Sequence, residues 1–217
     1  MLEPEREHIA EAGRRLAARG LVFGTAGNVS ARAGELVAVT PTGAVLEQLE
    51  ADDVTVVDLG GRHVEGRFVS TSELALHLGV YERYGAGAVV HTHPPMGTAL
   101  SCVLDELPVI HYQMLELGGP VRVARYATFG TTEFAELTLD ALEGRGAALM
   151  SNHGAIAHGP DLDSAIDRTL LVEWTCSLYW HAAAIGTPRT LDEEQRAAFI
   201  SAVFDRGYGT TQRVVES

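Results

Sequence analysis

Helical and strand-like segments alternate along the chain, and some neighbouring strands are separated by turns too short to hold a helix. The segment DVTVVDLGGRHVEG predicts two strands around a Gly-Gly turn, and GAALMSNHGAIAHG predicts two more around a second turn. Strands joined in this way pair antiparallel. Because helical segments flank the strands, we expect a layered α/β domain with a partly antiparallel sheet.

The length of 217 residues fits one domain over residues 1–217, with mobility expected, if anywhere, in the tail after about residue 205. The chain has no run of 18 apolar residues, and its first 20 residues lack the apolar core of a signal peptide. Two cysteines, Cys102 and Cys176, are too few for a disulfide framework. These features predict a cytoplasmic protein with no membrane partner.

The charge and the choice of basic residue exclude several classes of function. A net charge of −13 argues against nucleic acid as a partner, since nucleic-acid binding needs a basic surface. All 16 basic residues are arginine, and the chain has no lysine. Schiff-base catalysis, pyridoxal phosphate chemistry and a P-loop all need a lysine and are therefore excluded. A carbanion made by this chain would need another group to hold its charge.

Three histidines follow apolar strand-like segments. His91 and His93 lie in VVHTHPP, and alternate side chains of a strand point to the same face. His153, in SNHGA, follows the apolar segment AALM and precedes a glycine. Three such residues predict a metal site with an open position, most simply for zinc, and the alternative is a set of polar turn histidines. Surface or partly buried positions are expected for most of the other six: His8, His63, His77, His111, His158 and His181.

The segment STSE, residues 70–73, allows two interpretations. Ser70 could cap a helix while Glu73 reaches back to a free N–H, as in a capping box. Alternatively, the helix N-terminus with the Thr71 and Ser72 hydroxyls could bind an anion such as phosphate without any lysine. In that case Glu73 would lie near the substrate as a general acid or base.

Two small-residue loops, GTAGNVS and PTG, precede STSE. Their glycines allow close approach of the backbone, and their polar side chains offer hydrogen-bond donors. Ordinary turn chemistry explains either loop alone, whereas three such loops upstream of the HTH motif favour a common binding site. The residues concerned are Gly24, Thr25, Gly27, Asn28, Thr42 and Gly43.

The ordered motifs GTAGNVS, PTG, STSE, HTHPP and SNHG, together with IHYQ, YATFGT and FDRGYG, closely resemble the class II aldolase/epimerase family. The resemblance runs from the first helix to Tyr208. It implies a three-layer α/β/α single domain around a largely antiparallel sheet. It also implies a homotetramer with active sites at subunit interfaces.

Site residues follow from this resemblance position by position. His91, His93 and His153 match the family's zinc ligands, and Glu73 matches its acidic proton-transfer residue. Tyr112 matches a tyrosine that reaches into a neighbouring subunit's site. The remaining matches are the phosphate-binding positions Thr25, Asn28, Thr42, Gly43, Thr71 and Ser72, the substrate-side aromatic Phe129, and the tail tyrosine Tyr208.

The implied reaction is a zinc-dependent aldol cleavage of a ketose 1-phosphate such as L-fuculose 1-phosphate. It releases dihydroxyacetone phosphate and an aldehyde through an enediolate whose charge the metal stabilises. One alternative is a sugar-phosphate 4-epimerase of the L-ribulose 5-phosphate type, although such relatives carry aspartate at position 73. A dehydratase or decarboxylase on the same scaffold remains open, and a structural module without zinc histidines is disfavoured.

Overall fold

The computed structural model describes residues 1–206, and the predicted tail tyrosine, Tyr208, lies outside the described residues. The helices in this part are α1 Glu3–Ala18, α2 Leu74–Tyr84, α3 Pro95–Ser101, α4 Thr132–Leu142, α5 Leu162–Ile185 and α6 Glu193–Arg206. The strands are β1 Asn28–Ala33, β2 Leu36–Val39, β3 Thr55–Asp58, β4 His63–Glu65, β5 Ala88–Thr92, β6 Glu106–Leu107, β7 Val121–Ala124, β8 Ala147–Met150 and β9 Gly154–Gly159.

Within residues 1–206 the nine strands form one sheet, in the order β4-β3-β2-β1-β5-β9-β8-β7-β6. The β7–β8 pair is parallel, and the other neighbours pair antiparallel. The two hairpins expected from the sequence are β3–β4 and β8–β9. The prediction of an α/β fold with a largely antiparallel sheet is thus confirmed.

Helices cover both faces of the sheet, which gives the expected three layers. Strand β5 shows the arrangement, since successive side chains of a strand point to opposite faces. Val89 is fully buried in a cluster with α2 and α4, whereas Val90 is fully buried in a second cluster with α1 and the start of α5. A third cluster packs α3 and the middle of α5 against β7, β8 and β9. Burial on both faces explains why the segment AVV is continuously apolar.

The start of α2 differs from the capping-box interpretation. The helix begins at Leu74, and Glu73 occupies the N-cap position with no capping hydrogen bond from its side chain. Ser70 instead forms an isolated β-bridge with Pro41. The Glu73 side chain is therefore free to point elsewhere.

No helix in the described part of the chain is long and apolar enough to cross a membrane.

Candidate active site

Three histidines meet at the end of β5, beside the turn that joins β8 to β9. His91 is in β5, His93 follows it, and His153 is the last residue of the turn. The Nε2 atoms of His91 and His93 are 3.1 Å apart. One ligand nitrogen from each of the three rings lies within 4.8 Å of the other two. The structure thus brings together the three residues that the sequence singled out as metal ligands.

The turn that presents His153 depends on two backbone features. Asn152 has a φ of 57°, in the left-handed region that asparagine tolerates better than most residues. The next residue, His153, donates its backbone N–H to the Met150 carbonyl at 3.0 Å. At Gly154 a Cβ atom would lie 2.3 Å from the Thr92 carbonyl oxygen. Only glycine at this position lets β9 approach the end of β5 closely enough to bring His153 beside His93.

Burial keeps the three imidazoles in the form that binds a cation. It lowers the pKa of His91, His93 and His153 to about 4 in each case, because a charged ring would lose its hydration. The Nδ1–H of His91 donates to the Ala155 carbonyl at 2.9 Å, which leaves the Nε2 lone pair facing the cluster. Three neutral imidazoles with one nitrogen each directed inwards are a fitting donor set for a divalent ion such as zinc.

Glu73 lies directly beside the histidine cluster. Its side chain is almost fully buried, with Oε2 3.3 Å from Nε2 of His91 and Oε1 3.5 Å from Nε2 of His153. Asn28 donates an amide N–H to Oε2 at 2.7 Å. A carboxylate held in this position can move a proton at an atom bound next to the three imidazoles.

The cluster opens into a cavity of about 530 Å³. Nearly all of the site residues predicted from the sequence within residues 1–206 line it: Thr25, Asn28, Thr42, Gly43, Thr71, Ser72, Glu73, His91, His93, Phe129 and His153. Tyr126, Ala127 and Asn152 also line it and were not anticipated. Tyr126 and Phe129 both belong to the segment YATFG, in which the sequence had marked only Phe129 as a site residue, and both rings are exposed.

Backbone hydrogen bonds hold two of the predicted loops side by side. The Thr42 N–H donates to the Val69 carbonyl at 3.0 Å, and the Thr71 N–H donates to the Thr40 carbonyl at 3.1 Å. This pairing places the PTG and STSE loops on the same wall of the cavity, next to the N-terminus of α2. Among the described residues that line the cavity there is no arginine. An anion bound there would depend on hydroxyl and backbone N–H donors.

Of the two predicted tyrosines, Tyr208 lies outside the described residues and Tyr112 does not line this cavity. Tyr112 begins a 3-10 helix, Tyr112–Leu117, and its ring contacts His111 and Phe199 with centroids 4.3 and 4.7 Å away. It does not line the cavity of its own chain. Its expected role in a neighbouring subunit therefore stays a prediction, as does the role of Tyr208.

Two residues that support the site, Glu173 and Phe134, were missed by the sequence analysis. The Glu173 carboxylate accepts from the backbone N–H groups of Met96 and Gly97 at 3.0 and 2.8 Å, and so anchors the start of α3 just after His93. The Phe134 ring stacks on His153, with centroids 5.1 Å apart and planes 20° from parallel. Both contacts join segments distant in sequence, and no local pattern signals them.

Five of the other six histidines are exposed or partly buried, as expected, and the exception is His77, whose side chain is fully buried. It lies four residues after Glu73, and Tyr81 lies four residues further on. This spacing, which puts side chains on one face of a helix, is the sequence signal that could have identified it.

Comparison with known proteins agrees with this geometry. The class II aldolase and adducin N-terminal domain family matches residues 7–180. A 5-methylthioribulose-1-phosphate/5-deoxyribulose-1-phosphate aldolase of Rhodospirillum rubrum is 39% identical over 195 residues, which are 88% of each chain. An L-fuculose phosphate aldolase of Escherichia coli is 38% identical over 192 residues, again 88% of each chain.

A solved structure of an L-fuculose 1-phosphate aldolase superposes with a TM-score of 0.88 at 33% identity, covering 93% of this chain and 96% of that one. The family expected from the ordered motifs is thereby confirmed, as is the assignment to class II lyases at the level of the family. The chain belongs to the class II aldolase family.

Proposed function

We propose that this chain is a zinc-dependent aldolase that cleaves a ketose 1-phosphate to dihydroxyacetone phosphate and an aldehyde. The observation that carries the proposal is the contact of one buried carboxylate, Glu73, with two of three clustered imidazoles, at 3.3 Å from His91 and 3.5 Å from His153. The relatives named above act on L-fuculose phosphate and on 5-deoxyribulose 1-phosphate, so a related ketose 1-phosphate is the expected substrate.

His91, His93 and His153 would hold the metal. Zinc, when bound, supplies a Lewis acid that stabilises the negative charge of an enediolate. The lack of lysine in the chain supports a metal-dependent mechanism, since the alternative route to a stabilised carbanion is a Schiff base on a lysine amine.

The chain's own residues have three tasks in this proposal. The Thr25, Thr42 and Ser72 hydroxyls are exposed in the cavity and bind the phosphate oxygens together with backbone N–H groups. A tyrosine, Tyr112 of a neighbouring subunit or Tyr208, handles the proton on the oxygen of the departing aldehyde. Glu73 gives a proton to the substrate carbon that gains the electron pair of the broken C3–C4 bond, which completes dihydroxyacetone phosphate.

An epimerase is the second candidate, because it breaks and remakes the same kind of bond without protonating carbon. Glu73 favours the aldolase, since the 4-epimerases that resemble this family carry aspartate there. A dehydratase or decarboxylase would also use a glutamate at this position. The products formed from a defined substrate separate these activities.

A homotetramer with active sites at subunit interfaces is part of the proposal. It is supported by the position of Tyr112, whose half-buried ring does not line the cavity of its own chain. Both cysteines are free thiols, which agrees with a cytoplasmic setting.

The test is to incubate the purified protein with a panel of ketose 1-phosphates and ketose 5-phosphates and identify the products. Metal content is measured by elemental analysis on the same sample. We expect one divalent ion per chain and dihydroxyacetone phosphate from at least one ketose 1-phosphate. Interconversion of two pentulose 5-phosphates without cleavage would assign the epimerase instead.

A further inference from the structure

One face of β1 and one face of α2 carry polar side chains where the rest of their interface is apolar. Asn28 and Ser30 are two residues apart in β1 and point to the same face of the sheet. His77 and Tyr81 are one turn apart in α2. All four side chains are buried, and Ser30, His77 and Tyr81 are at most 1% exposed.

These side chains form a continuous series of hydrogen bonds that ends at Glu73. Ser30 Oγ lies 2.6 Å from Tyr81 Oη and 2.6 Å from His77 Nδ1. His77 Nε2 contacts Asn28 Oδ1, and Asn28 Nδ2 lies 2.7 Å from Glu73 Oε2. We call the residues Tyr81, Ser30, His77 and Asn28 the buried hydrogen-bond chain.

Only one arrangement of hydrogens satisfies every contact. A carboxylate accepts but cannot donate, so the Asn28 amide must turn its N–H towards Glu73 and its oxygen towards His77. His77 must then carry its hydrogen on Nε2, which leaves Nδ1 to accept from the Ser30 hydroxyl. Ser30 in turn accepts from Tyr81. Every donor in the chain therefore points towards Glu73, and each bond polarises the next.

Burial makes this arrangement rigid. Desolvation, with a smaller contribution from His91, lowers the pKa of His77 to about 3, so its ring is neutral and offers one donor and one acceptor. Burial likewise raises the pKa of the Tyr81 phenol well above its ordinary value, which keeps its hydrogen available to Ser30. A broken link would leave a buried polar atom without a partner, at a cost of about 1–3 kcal/mol.

We propose that His77 is a positioning residue for the proton-transfer step. It fixes the Asn28 amide and thereby the Glu73 carboxylate. Ser30 and Tyr81 in turn fix the tautomer of His77. The inference rests on the proposed role of Glu73 as acid or base. His91 lies directly opposite Asn28 in the β1–β5 pair. The buried hydrogen-bond chain therefore also fixes Glu73 relative to the histidine cluster.

The test compares His77→Leu, which removes both ring nitrogens, with His77→Gln, whose amide N–H can still donate to Asn28. Tyr81→Phe removes the hydroxyl at the far end of the buried hydrogen-bond chain and keeps the apolar ring. Thr169→Val is the matched control, because it deletes a buried hydroxyl whose hydrogen bond lies within α5, to the Ala165 carbonyl. For each variant we would measure kcat and KM for the ketose phosphate, metal content and melting temperature.

We expect His77→Leu to lower kcat by about 10–100-fold, the range typical of residues that orient a functional group, with KM and metal content little changed. His77→Gln should recover most of the lost kcat, Tyr81→Phe should lose less than His77→Leu, and Thr169→Val should keep the wild-type kcat. An unchanged kcat in both His77→Leu and Tyr81→Phe would overturn the proposal. Equal losses in His77→Leu and His77→Gln would do so as well.

A crystal structure of the Tyr81→Phe and His77→Leu variants gives a readout that does not need turnover. We expect the Asn28–Glu73 contact to be lost in His77→Leu, because the Asn28 amide is then free to rotate. An unchanged contact of about 2.7 Å would contradict the positioning role. Failure of the wild-type protein to cleave any ketose phosphate would instead count against the proposed function, so the two failures are distinguishable.

Discussion

Replacing Ser72 with alanine probes how an acidic chain without lysine can hold a phosphorylated substrate. The Ser72 hydroxyl is exposed in the cavity and makes no hydrogen bond to another described residue. Its loss should therefore leave the folded structure intact and act on substrate binding alone. The nearby Thr71 is less suitable for the test, because its hydroxyl accepts from the Glu73 N–H at 3.3 Å.

The size of the effect follows from the kind of bond that is lost. A hydrogen bond to a charged group contributes about 1.5–3 kcal/mol. Since about 1.4 kcal/mol corresponds to a factor of ten, KM for a phosphorylated ketose should rise by about 10–150-fold. No arginine among the described lining residues can take over the lost contact. A contact made equally in ground and transition states changes KM and leaves kcat unaltered.

Steady-state kinetics with a phosphorylated ketose and its unphosphorylated counterpart measure this effect. Thr190→Ala, which removes an exposed hydroxyl outside the cavity, is the control. We expect the KM increase only in Ser72→Ala and only for the phosphorylated sugar. An unchanged KM, or equal turnover of both sugars by the wild-type protein, would refute phosphate binding by these donors.

Three further changes test other parts of the site. His153→Ala should lose both the bound ion, measured by elemental analysis, and the activity. His8→Ala, which changes an exposed histidine, should keep both. Full metal occupancy in His153→Ala would show that His153 is not a metal ligand. Gly154→Ala should lower the free energy of unfolding by about 1–3 kcal/mol in a denaturant titration, because the added Cβ would collide with the Thr92 carbonyl. Gly186→Ala, which adds a Cβ in open space, should leave the free energy of unfolding unchanged. Equal stabilities of the two variants would contradict the close approach of β9 to the end of β5. Tyr112→Phe should lower kcat with little change in metal content, and an unaltered kcat would assign the aldehyde-side proton to another group.

The histidine cluster could be predicted from the sequence because local rules place its members. His91 and His93 follow the two-residue period of a strand, and His153 follows an apolar strand at a turn. The fold class was predictable for a similar reason, since hairpin turns and helical segments are local signals. The ordered motifs added the family, which fixed the order of the loops around one cavity.

The environment of Glu73 could not be predicted from residues alone. The segment STSE fits a capping box and a catalytic carboxylate equally well, and the structure excludes the capping box. Glu73 occupies the N-cap position without a capping bond, and its side chain instead accepts from Asn28. That contact joins residues 45 positions apart. The partners of His77 could not be predicted for the same reason, because Ser30 and Asn28 lie in a strand that pairs with β5 and packs against α2. Long-range packing, not local pattern, determines these positions.

The central claim is that Glu73 moves a proton at a substrate carbon next to a bound metal ion. It is tested most directly by incubating the protein with dihydroxyacetone phosphate in heavy water and following the loss of carbon-bound hydrogen by NMR. We predict that the wild-type protein exchanges one such hydrogen. Glu73→Gln should keep its metal and lose the exchange by about 10²–10⁴-fold, as is typical of general acid–base catalysis. Undiminished exchange in Glu73→Gln, or no exchange by the wild type together with interconversion of pentulose 5-phosphates, would contradict the claim.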